Sequence, residues 1–316
     1  MDTKKVIPEN FIRAETDRMF YDINQLAGGI NKFYHIRSIT PLDKQTVVRM
    51  NKDVLYSGGV VDAEKGATVT FPEMPDKRYA SILVIDNDHY CPFVIYEPGK
   101  HKLPQDTKYM FMAIRIQVFN PKDESEIAMV NKLKDQFIIE SNSADDFTKP
   151  VWEKESLDSL RAEYEKEFSK FASYPADWMG PKGTLNEETR QYACAGAWGL
   201  FPNKDATYIN YNGGNLPGDK CYSATYSVPD VGGFWSITLY GNDGYMKSDN
   251  SVINESNVKY NDDKTFTVHF GPEEKCPGAK NRLDITDGWN FLMRAYLPGE
   301  SVLNGSYKVP EVKEVK

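Results

Sequence analysis

The sequence lacks the features of a membrane protein. No stretch approaches the ~18 consecutive apolar residues that a membrane-spanning helix needs. The first residues carry Lys4 and Lys5, but not the apolar run of a signal peptide. We therefore expect no membrane span and a cytoplasmic location for the chain as written. A removed leader would instead imply a periplasmic or secreted protein.

A basic surface is missing as well. The net charge is −8, from 38 Lys and Arg against 46 Asp and Glu. Both signs are scattered along the chain, so nothing concentrates the positive potential that binding to a phosphate backbone requires. We therefore expect no nucleic-acid partner. The C-terminal tail, 308–316, alternates Lys, Glu and Val and is interpreted as a solvated terminus.

Cysteine is scarce, and its spacing is uninformative. Cys91, Cys194, Cys221 and Cys276 lie far apart, with no CxxC pair and no histidine at a metal-binding distance in sequence. Neither a zinc ribbon nor a redox motif is therefore indicated. Free buried thiols are favoured, although four cysteines would permit two disulfides in an oxidising compartment.

The common catalytic motifs are also absent. The sequence contains no GxSxG, no GxGxxG, no Walker loop and no HExxH. Serine-hydrolase, nucleotide-binding and zincin interpretations therefore lose their usual support. Glycoside hydrolysis needs only two carboxylates, whose separation is set by the fold, and it stays open.

The composition is that of a folded protein, with 40% hydrophobic and 13% aromatic residues. A chain of 316 residues is longer than most single domains. Apolar residues at helical spacing predict an N-terminal helix within 1–32. Over 33–120, β-branched residues alternate with turn residues and predict a small β-sandwich. Its predicted strands lie within 46–71, 79–85, 93–96 and 109–119.

The segment 121–200 is predicted to be helical. Asp123 with Glu126, and Thr184 with Glu187, have the spacing of a capping box. The helices should cover 123–140, 156–173 and 184–198. After Pro202 the strand pattern returns and predicts a C-terminal sandwich or jelly roll over 201–316. Its predicted strands are 206–211, 222–228, 233–240, 264–270 and 289–296.

Several strings resemble a bacterial two-domain family. The run VRMNKDVLYS at 48–57 resembles the signature of an N-terminal domain of unknown function, number 1254. The strings FWSITLY at 234–240 and GWNFLMRAY at 288–296 resemble its C-terminal companion, domain of unknown function 1214. The resemblance implies an immunoglobulin-like N-terminal sandwich, a helical segment and a jelly-roll-like C-terminal domain. It implies no reaction, cofactor or catalytic residue. The expected fold class is thus mainly β with a helical middle.

The densest cluster of reactive side chains is Asp86, Asn87, Asp88, His89 and Tyr90. Its oxygens would suit a divalent cation such as Ca²⁺, and His89 with an Asp would suit a transition metal. The EF-hand pattern fails, because Tyr90 stands where a ligand belongs. An imidazole beside a carboxylate also suits acid–base catalysis. The alternative is a polar β-turn in which Asp and Asn bond their own backbone.

A second candidate cluster begins at Arg49. In an extended segment, Arg49, Asn51 and Asp53 would share one face, with Tyr56 close by. Arg115, on a predicted strand, is a possible anion clamp. The alternative is an ion pair between Arg49 and Asp53, with Asn51 turning the chain.

The C-terminal half is rich in aromatic residues, including Trp235 and Tyr240. Such rings stack on sugars, while Asn and Asp bind the hydroxyl groups. The alternative is ordinary core packing, since Trp235 and Tyr240 lie on opposite faces of a strand by parity.

The leading functional hypothesis is a small-molecule or carbohydrate-binding protein, with or without a hydrolase or lyase activity. Whether it is an enzyme stays open. Catalytic candidates are His89, Asp88, Arg49 and Asp53, and binding candidates are Asn51, Tyr56, Asp86, Tyr90, Arg115, Trp235 and Tyr240. The rival is a non-catalytic interaction protein whose amphipathic helices pack on a partner or in a homo-oligomer.

Overall fold

The computed structural model describes residues 2–45, 48–171 and 173–316. The chain forms two compact units. The first contains the chain up to Arg37, Leu55–Gln117 and Ala128–Asn203, and the second contains Ser38–Val54, Val118–Ile127 and Lys204–Lys316. Each unit is therefore built from three separate segments. The four-part division expected from the sequence concerns contiguous segments and stays a prediction.

The first unit contains two antiparallel sheets. The larger has the strand order β1-β2-β7-β4-β5 and the smaller has the order β6-β3-β8. The strands are β1 (Lys32–His35), β2 (Val54–Asp62), β3 (Ala67–Phe71), β4 (Ala80–Asp86), β5 (Val94–Ile95), β6 (Gly99–Lys102), β7 (Tyr109–Gln117) and β8 (Ile138–Ser141). The first residue of β2, Val54, belongs to the second unit.

The helices of the first unit are α1 (Pro8–Ala27), α3 (Lys154–Phe168), α4 (Arg190–Gly196) and the end of α2 (Glu124–Lys134). The first three pack on one another, and α1 also packs on β1 of the larger sheet. Pro8 suits the first turn of α1, where its missing N–H costs no hydrogen bond. Gly28 ends the helix at φ 72°, a conformation that glycine adopts without strain. A Cβ at Gly58 would lie 3.3 Å from Ile23, so a small residue in β2 lets α1 approach the sheet closely.

The second unit contains two four-stranded sheets, with orders β14-β13-β10-β16 and β12-β11-β15-β9. Pairing is antiparallel except between β13 and β14. Both sheets contribute to one hydrophobic core, which includes Tyr226, Phe266, Trp235 and Phe291. The strands are β9 (Ala206–Asn212), β10 (Tyr222–Tyr226), β11 (Trp235–Tyr240), β12 (Val252–Asn254), β13 (Phe266–Phe270), β14 (Arg282–Leu283), β15 (Asn290–Tyr296) and β16 (Lys313–Glu314), with a short helix α5 (Glu300–Leu303).

The expectation of a mainly β protein with a helical middle is confirmed. The immunoglobulin-like and jelly-roll-like topologies stay predictions. Among the described residues, no helix has the length and hydrophobicity needed to cross a membrane.

Two helix predictions in the middle segment were wrong in their extent. The helix expected over 123–140 ends at Lys134, and Ile138–Ser141 pairs instead with β3 as an edge strand. The helix expected from 184 begins only at Arg190. The reason is local, because the Thr184 hydroxyl donates to the Pro181 carbonyl at 2.7 Å and caps no helix.

Strand predictions needed smaller corrections. The strand pattern expected from 46 begins at Val54, and Val48 lies in a turn, while Thr46 and Val47 fall outside the described residues. Besides β8, five short strands were not predicted: β1, β6, β12, β14 and β16. All five have two to four residues, too few for a period-two pattern to show.

The C-terminal tail is not a freely solvated terminus. Tyr307, Val309 and Val312 pack against the core of the second unit. Beyond them, β16 pairs with β10, and the Val315 amide donates to the Cys221 carbonyl at 2.8 Å. The tail therefore ends in a short, exposed strand at the edge of this sheet.

The expectation of free thiols was right for two cysteines and wrong for two. Cys91 and Cys194 are free and buried. Cys221 and Cys276, which are 55 residues apart in sequence, form a disulfide with Cα atoms 5.4 Å apart. Only the fold brings these two cysteines together.

Candidate functional site

The predicted site residues fall into two groups, one in each unit. Tyr56, Asp86, Asp88, His89, Tyr90 and Arg115 belong to the first unit, and Arg49, Asn51, Asp53, Trp235 and Tyr240 belong to the second. The expected face shared by Arg49 and Asp53 does not form, because Arg49 lies in a turn at φ 59° rather than in a strand.

In the first unit, 86–90 form a tight turn after β4. The Asp86 carboxylate accepts hydrogen bonds from the amides of Asp88 and Tyr90, both at 2.9 Å. The His89 amide donates to the Asp86 carbonyl at 3.0 Å. Asn87 donates to the buried Asp17 carboxylate at 2.8 Å and so ties the turn to α1. These are the hydrogen bonds of the turn interpretation, and they also fix the direction of Asp88 and Tyr90.

His89 is buried beneath the turn, with no exposed surface. Its Nε2 accepts a hydrogen bond from the Gly199 amide at 3.1 Å, and its ring stacks on Trp198 at 5.4 Å between centroids. Burial, assisted by the nearby Arg190 guanidinium, lowers the pKa of His89 to about 3. His89 is therefore a neutral imidazole at physiological pH, and its role as an acid–base catalyst stays a prediction without support from its surroundings.

Asp88 and Tyr90 line an open groove at the start of α1. Its volume is about 410 Å³. Arg13, on the first turns of α1, donates to Asp88 Oδ1 through Nε at 2.8 Å and through Nη2. The side chains of Arg13 and Asp88 keep 40% and 36% of their surface exposed, so this ion pair is accessible to a ligand. The groove is lined by Pro8, Glu9, Ile12, Arg13, Asp88, Tyr90, Tyr164, Lys182, Glu187, Arg190 and Gln191.

On the other side of the groove, Arg190 contacts Glu187, Asp88 and Tyr90. Its Nε donates to Glu187 Oε2 at 2.6 Å, and its Nη1 donates to the Asp88 carbonyl at 3.0 Å. The guanidinium also lies 4.0 Å from the centroid of the Tyr90 ring. The Tyr90 hydroxyl donates to Glu187 Oε1 at 2.8 Å. The groove therefore contains two carboxylate–guanidinium pairs, Arg13 with Asp88 and Arg190 with Glu187.

Four groove residues were not predicted from the sequence: Arg13, Lys182, Glu187 and Arg190. The spacing of Thr184 and Glu187 predicts a capping box, whereas the Glu187 carboxylate binds Arg190 and Tyr90. Arg13 is 75 residues from Asp88 in sequence, and no local pattern signals this pairing. Only the packing of α1 and α4 near the turn brings these charges together.

Arg115 and Tyr56 lie elsewhere in the first unit. The Arg115 guanidinium is 3.9 Å from the Phe201 ring centroid and 5.5 Å from that of Tyr56. Its Nη2 donates to the Gly199 carbonyl at 3.3 Å. Neither residue lines the groove. The anion-clamp role of Arg115 stays a prediction.

In the second unit, the other candidate residues are largely buried. Asp53 has no exposed surface, and burial raises its pKa, although Arg294 and hydrogen-bonding neighbours oppose the shift. The Asn51 amide donates to the Tyr296 hydroxyl at 2.9 Å, and Arg294 donates to the Tyr240 hydroxyl at 2.9 Å. Arg49 and Asp53, both described residues, form no ion pair with each other. Instead, the Arg49 guanidinium lies 5.3 Å from the Tyr240 ring centroid.

The aromatic residues of the C-terminal half pack internally. Trp235 is fully buried and stacks on Phe266 at 4.3 Å, and Tyr240 is only 2% exposed. They lie in different hydrophobic clusters, as their opposite parity predicts. These two rings therefore offer no open face on which a sugar could stack.

The described residues contain no group of three or more His, Cys, Asp or Glu side chains placed to hold a metal ion. In the 86–90 turn, the carboxylates are directed to backbone amides and to Arg13. The arrangement is thus that of a polar groove with charge pairs.

Comparison with known proteins agrees with this architecture. Residues 30–141 match the model of a protein of unknown function, DUF1254, and residues 205–300 match that of a second, DUF1214. The chain belongs to the two-domain family that these models define. No curated protein matches it.

Two solved structures share the fold. The VPA0106 protein from Vibrio parahaemolyticus is 16% identical, with a TM-score of 0.72 over 97% of this chain and 98% of that one. A putative uncharacterized protein from Burkholderia cenocepacia is 15% identical, with a TM-score of 0.54 over 96% of this chain and 87% of that one. At these identities the likeness concerns the fold alone.

Proposed function

We propose that the protein binds a small, neutral, polyhydroxylated molecule, such as a mono- or oligosaccharide, in the groove of the first unit. The observation that carries this proposal is the balance of charge in the groove. Its cationic residues are Arg13, Lys182 and Arg190, and its anionic residues are Glu9, Asp88 and Glu187. The formal charges cancel, so the groove favours no ionic ligand by net charge.

Carboxylate–guanidinium pairs can form hydrogen bonds with the hydroxyl groups of a ligand. Both hydrogen bonds from Arg13 converge on Asp88 Oδ1, so no donor from a described residue occupies Oδ2. A hydroxyl group donates and accepts at once, and it can bridge a carboxylate oxygen and a guanidinium N–H without breaking the pair. Tyr164, Ile12 and Pro8 supply apolar surface for the C–H face of a sugar ring.

The groove's chemistry supports binding rather than acid catalysis. Burial acts to raise the pKa of Glu187, but hydrogen bonds from Arg190 and Tyr90 outweigh it and hold the pKa below its ordinary value. A general acid in glycoside hydrolysis needs the opposite shift. Glu187 is therefore an anionic hydrogen-bond acceptor at neutral pH.

The rival interaction-protein hypothesis has less support. Leu157 and Tyr164 of α3 share a cluster with Phe11 and Ala14 of α1. The apolar face of α3 is thus covered within its own unit. An assembly role would need another surface.

A thermal-shift screen against mono- and oligosaccharides, polyols and small organic acids tests the proposal. At 100 times its Kd, a ligand adds roughly 2.7 kcal/mol to stability. We expect a neutral sugar or polyol to stabilise the protein and the shift to disappear in Arg13→Gln. Arg18→Gln is the matched control. Like Arg13, Arg18 lies on α1 and forms ion pairs, but its partners are Glu15 and Asp22 and it lies outside the groove. A flat panel, or an equal shift in Arg13→Gln, would overturn the proposal.

We also infer that the protein matures in an oxidising compartment, such as a periplasm. The support is the Cys221–Cys276 disulfide, since such bonds are rare in reducing cytosol. Alkylation of acid-quenched cells followed by mass spectrometry tests this inference. Two alkylated cysteines are expected, and four would contradict it.

A further inference from the structure

Polar and charged side chains link the end of α2 to the residues that follow β1. Lys134 is fully buried, and its Nζ donates to the Ile36 carbonyl. Asn131 donates to the Arg37 carbonyl at 2.7 Å, and Arg37 forms an ion pair with Asp135 at 2.6 Å. We refer to these five residues as the latch. Arg37 is the last residue of its segment before the chain enters the second unit.

The latch holds a buried lysine beside other cations. No carboxylate of a described residue lies within ion-pair distance of Lys134 Nζ, and Asp135 is engaged by Arg37. His35 is the last residue of β1, and its Nδ1 lies 2.7 Å from the hydroxyl oxygen of Ser57 on the neighbouring strand β2. The groups that act on Lys134 are thus Arg37 from the end of β1 and Asp135 from its own helix. The positive charges of Arg37 and Lys134 also act on His35.

These surroundings favour the uncharged lysine. Burial, then Arg37, lowers the pKa of Lys134 to about 7, and Asp135 opposes the shift. Burial, Arg37 and Lys134 lower the pKa of His35 to about 4. A buried ammonium without a carboxylate partner is costly, whereas a neutral amine donates to a carbonyl at little cost.

We propose that the latch is a pH-sensitive switch, closed while Lys134 is a neutral amine and loosened when Lys134 is protonated. In the open state, Lys134 reaches water and recovers its ordinary pKa of 10.5. Because the closed pKa is the lower one, the closed state gains stability as pH rises through the window from about 7 to 10.5 and loses it on acidification. With these two values, local opening should be about tenfold more frequent at pH 6 than at pH 8.

Hydrogen exchange of the full-length protein, corrected for the intrinsic effect of pH on exchange, tests the switch. We expect the amides of α2 and β1 to lose about tenfold in protection between pH 8 and pH 6 in the parent. Lys134→Met, which keeps the side-chain length without the charge, should remove this dependence. Lys132→Met is the matched control, since Lys132 is exposed on the same helix, and it should behave like the parent.

A second measurement needs no folded variant. Lysine side chains labelled with ¹³C at Cε should show one resonance, that of Lys134, titrating near pH 7 in the parent. If no lysine titrates below pH 9, or if protection in α2 is the same at pH 6 and pH 8, the latch is not a pH switch. Equal pH dependence in Lys134→Met and the parent would also overturn the proposal.

Discussion

The Arg190 guanidinium lies over the ring of Tyr90, with its central carbon 4.0 Å from the ring centroid. The same guanidinium binds Glu187 and the carbonyl of Asp88, so one buried side chain joins the 86–90 turn to α4. Stacking and directed hydrogen bonds both depend on the planar shape of arginine, which lysine cannot reproduce. The groove is therefore organised around Arg190, which is 5% exposed.

Arg190→Lys should destabilise the first unit despite keeping the charge. Loss of the stack and of one or two hydrogen bonds should cost about 1–3 kcal/mol. Chemical unfolding followed by tryptophan fluorescence would measure the change. Lys170→Ala, which breaks an exposed ion pair, is the control and should cost about 0–0.5 kcal/mol. If Arg190→Lys and the parent have the same free energy of unfolding, the arginine contacts do not stabilise the first unit.

His89 should make the protein sensitive to acid. Its pKa is about 3 when folded and 6.5 when unfolded, so the unfolded chain takes up the proton first as pH falls. The stability that the neutral imidazole contributes is complete above pH 6.5 and decreases as pH falls towards 3. At pH 4.5 the loss should be about 3 kcal/mol.

The variant His89→Gln tests this directly, because glutamine does not titrate and can still accept a hydrogen bond from the Gly199 amide. Stability measured between pH 7 and pH 4.5 should decline less in His89→Gln than in the parent. His101→Gln, at a histidine nearer the surface, should follow the parent. Parallel curves for all three proteins would rule out the effect.

Asp53 should change the stability of the protein with pH in the opposite direction to His89. Burial raises its folded pKa above 3.8, so ionisation costs stability as pH rises from 3.8 through the folded pKa. Asp53→Asn keeps the shape without the charge. At pH 7 it should be as stable as the parent or more stable, by about 0–2 kcal/mol.

Asp53→Ala is the comparison for Asp53→Asn, since it also removes the hydrogen-bonding atoms and leaves a cavity. It should be less stable than Asp53→Asn by about 1–3 kcal/mol. Thermal unfolding of both variants at pH 7 and pH 5 gives the answer. If Asp53→Asn is instead less stable than the parent at pH 7, the carboxylate charge stabilises the fold.

Reduction of the disulfide should destabilise the second unit. The bond between Cys221 and Cys276 closes a chain separation of 55 residues, for which the chain-entropy model gives about 4 kcal/mol and measured bonds give about 2–4 kcal/mol. Thermal unfolding with and without a reductant would detect the loss. Cys194→Ser is the control for the free thiol, because it keeps the disulfide and should lose the same stability as the parent on reduction. A reductant-independent melting curve would mean that the bond does not form.

Local sequence patterns located most regular elements. The period of apolar residues found α1 and the long strands, since one buried face imposes period 3.6 on a helix and period two on a strand. The same patterns predicted α2 to be too long. Ile138 and Ile139 continue its apolar series, although they belong to β8 and pair with β3. Edge strands such as β16 and β14 have two residues each, and no periodicity can reveal them.

The candidate site was predictable only in part. The cluster Asp86–Tyr90 was evident because its residues are adjacent in sequence, and two of them do line the groove. Their partners were not evident, because Arg13 and Arg190 lie 75 and 102 residues from Asp88. The burial of His89 was equally hidden, since exposure depends on what packs over a side chain.

By itself, the sequence determined the family, the mainly β class with a helical middle, and the absence of any long apolar span, because composition, contiguous motifs and periodicity are local properties. Tertiary structure alone decided which cysteines pair, which charges meet in the groove, and that Lys134 and Asp53 are buried. These outcomes depend on contacts between residues distant in the chain, and on the removal of charged groups from water. Neither leaves a local pattern from which it could be inferred.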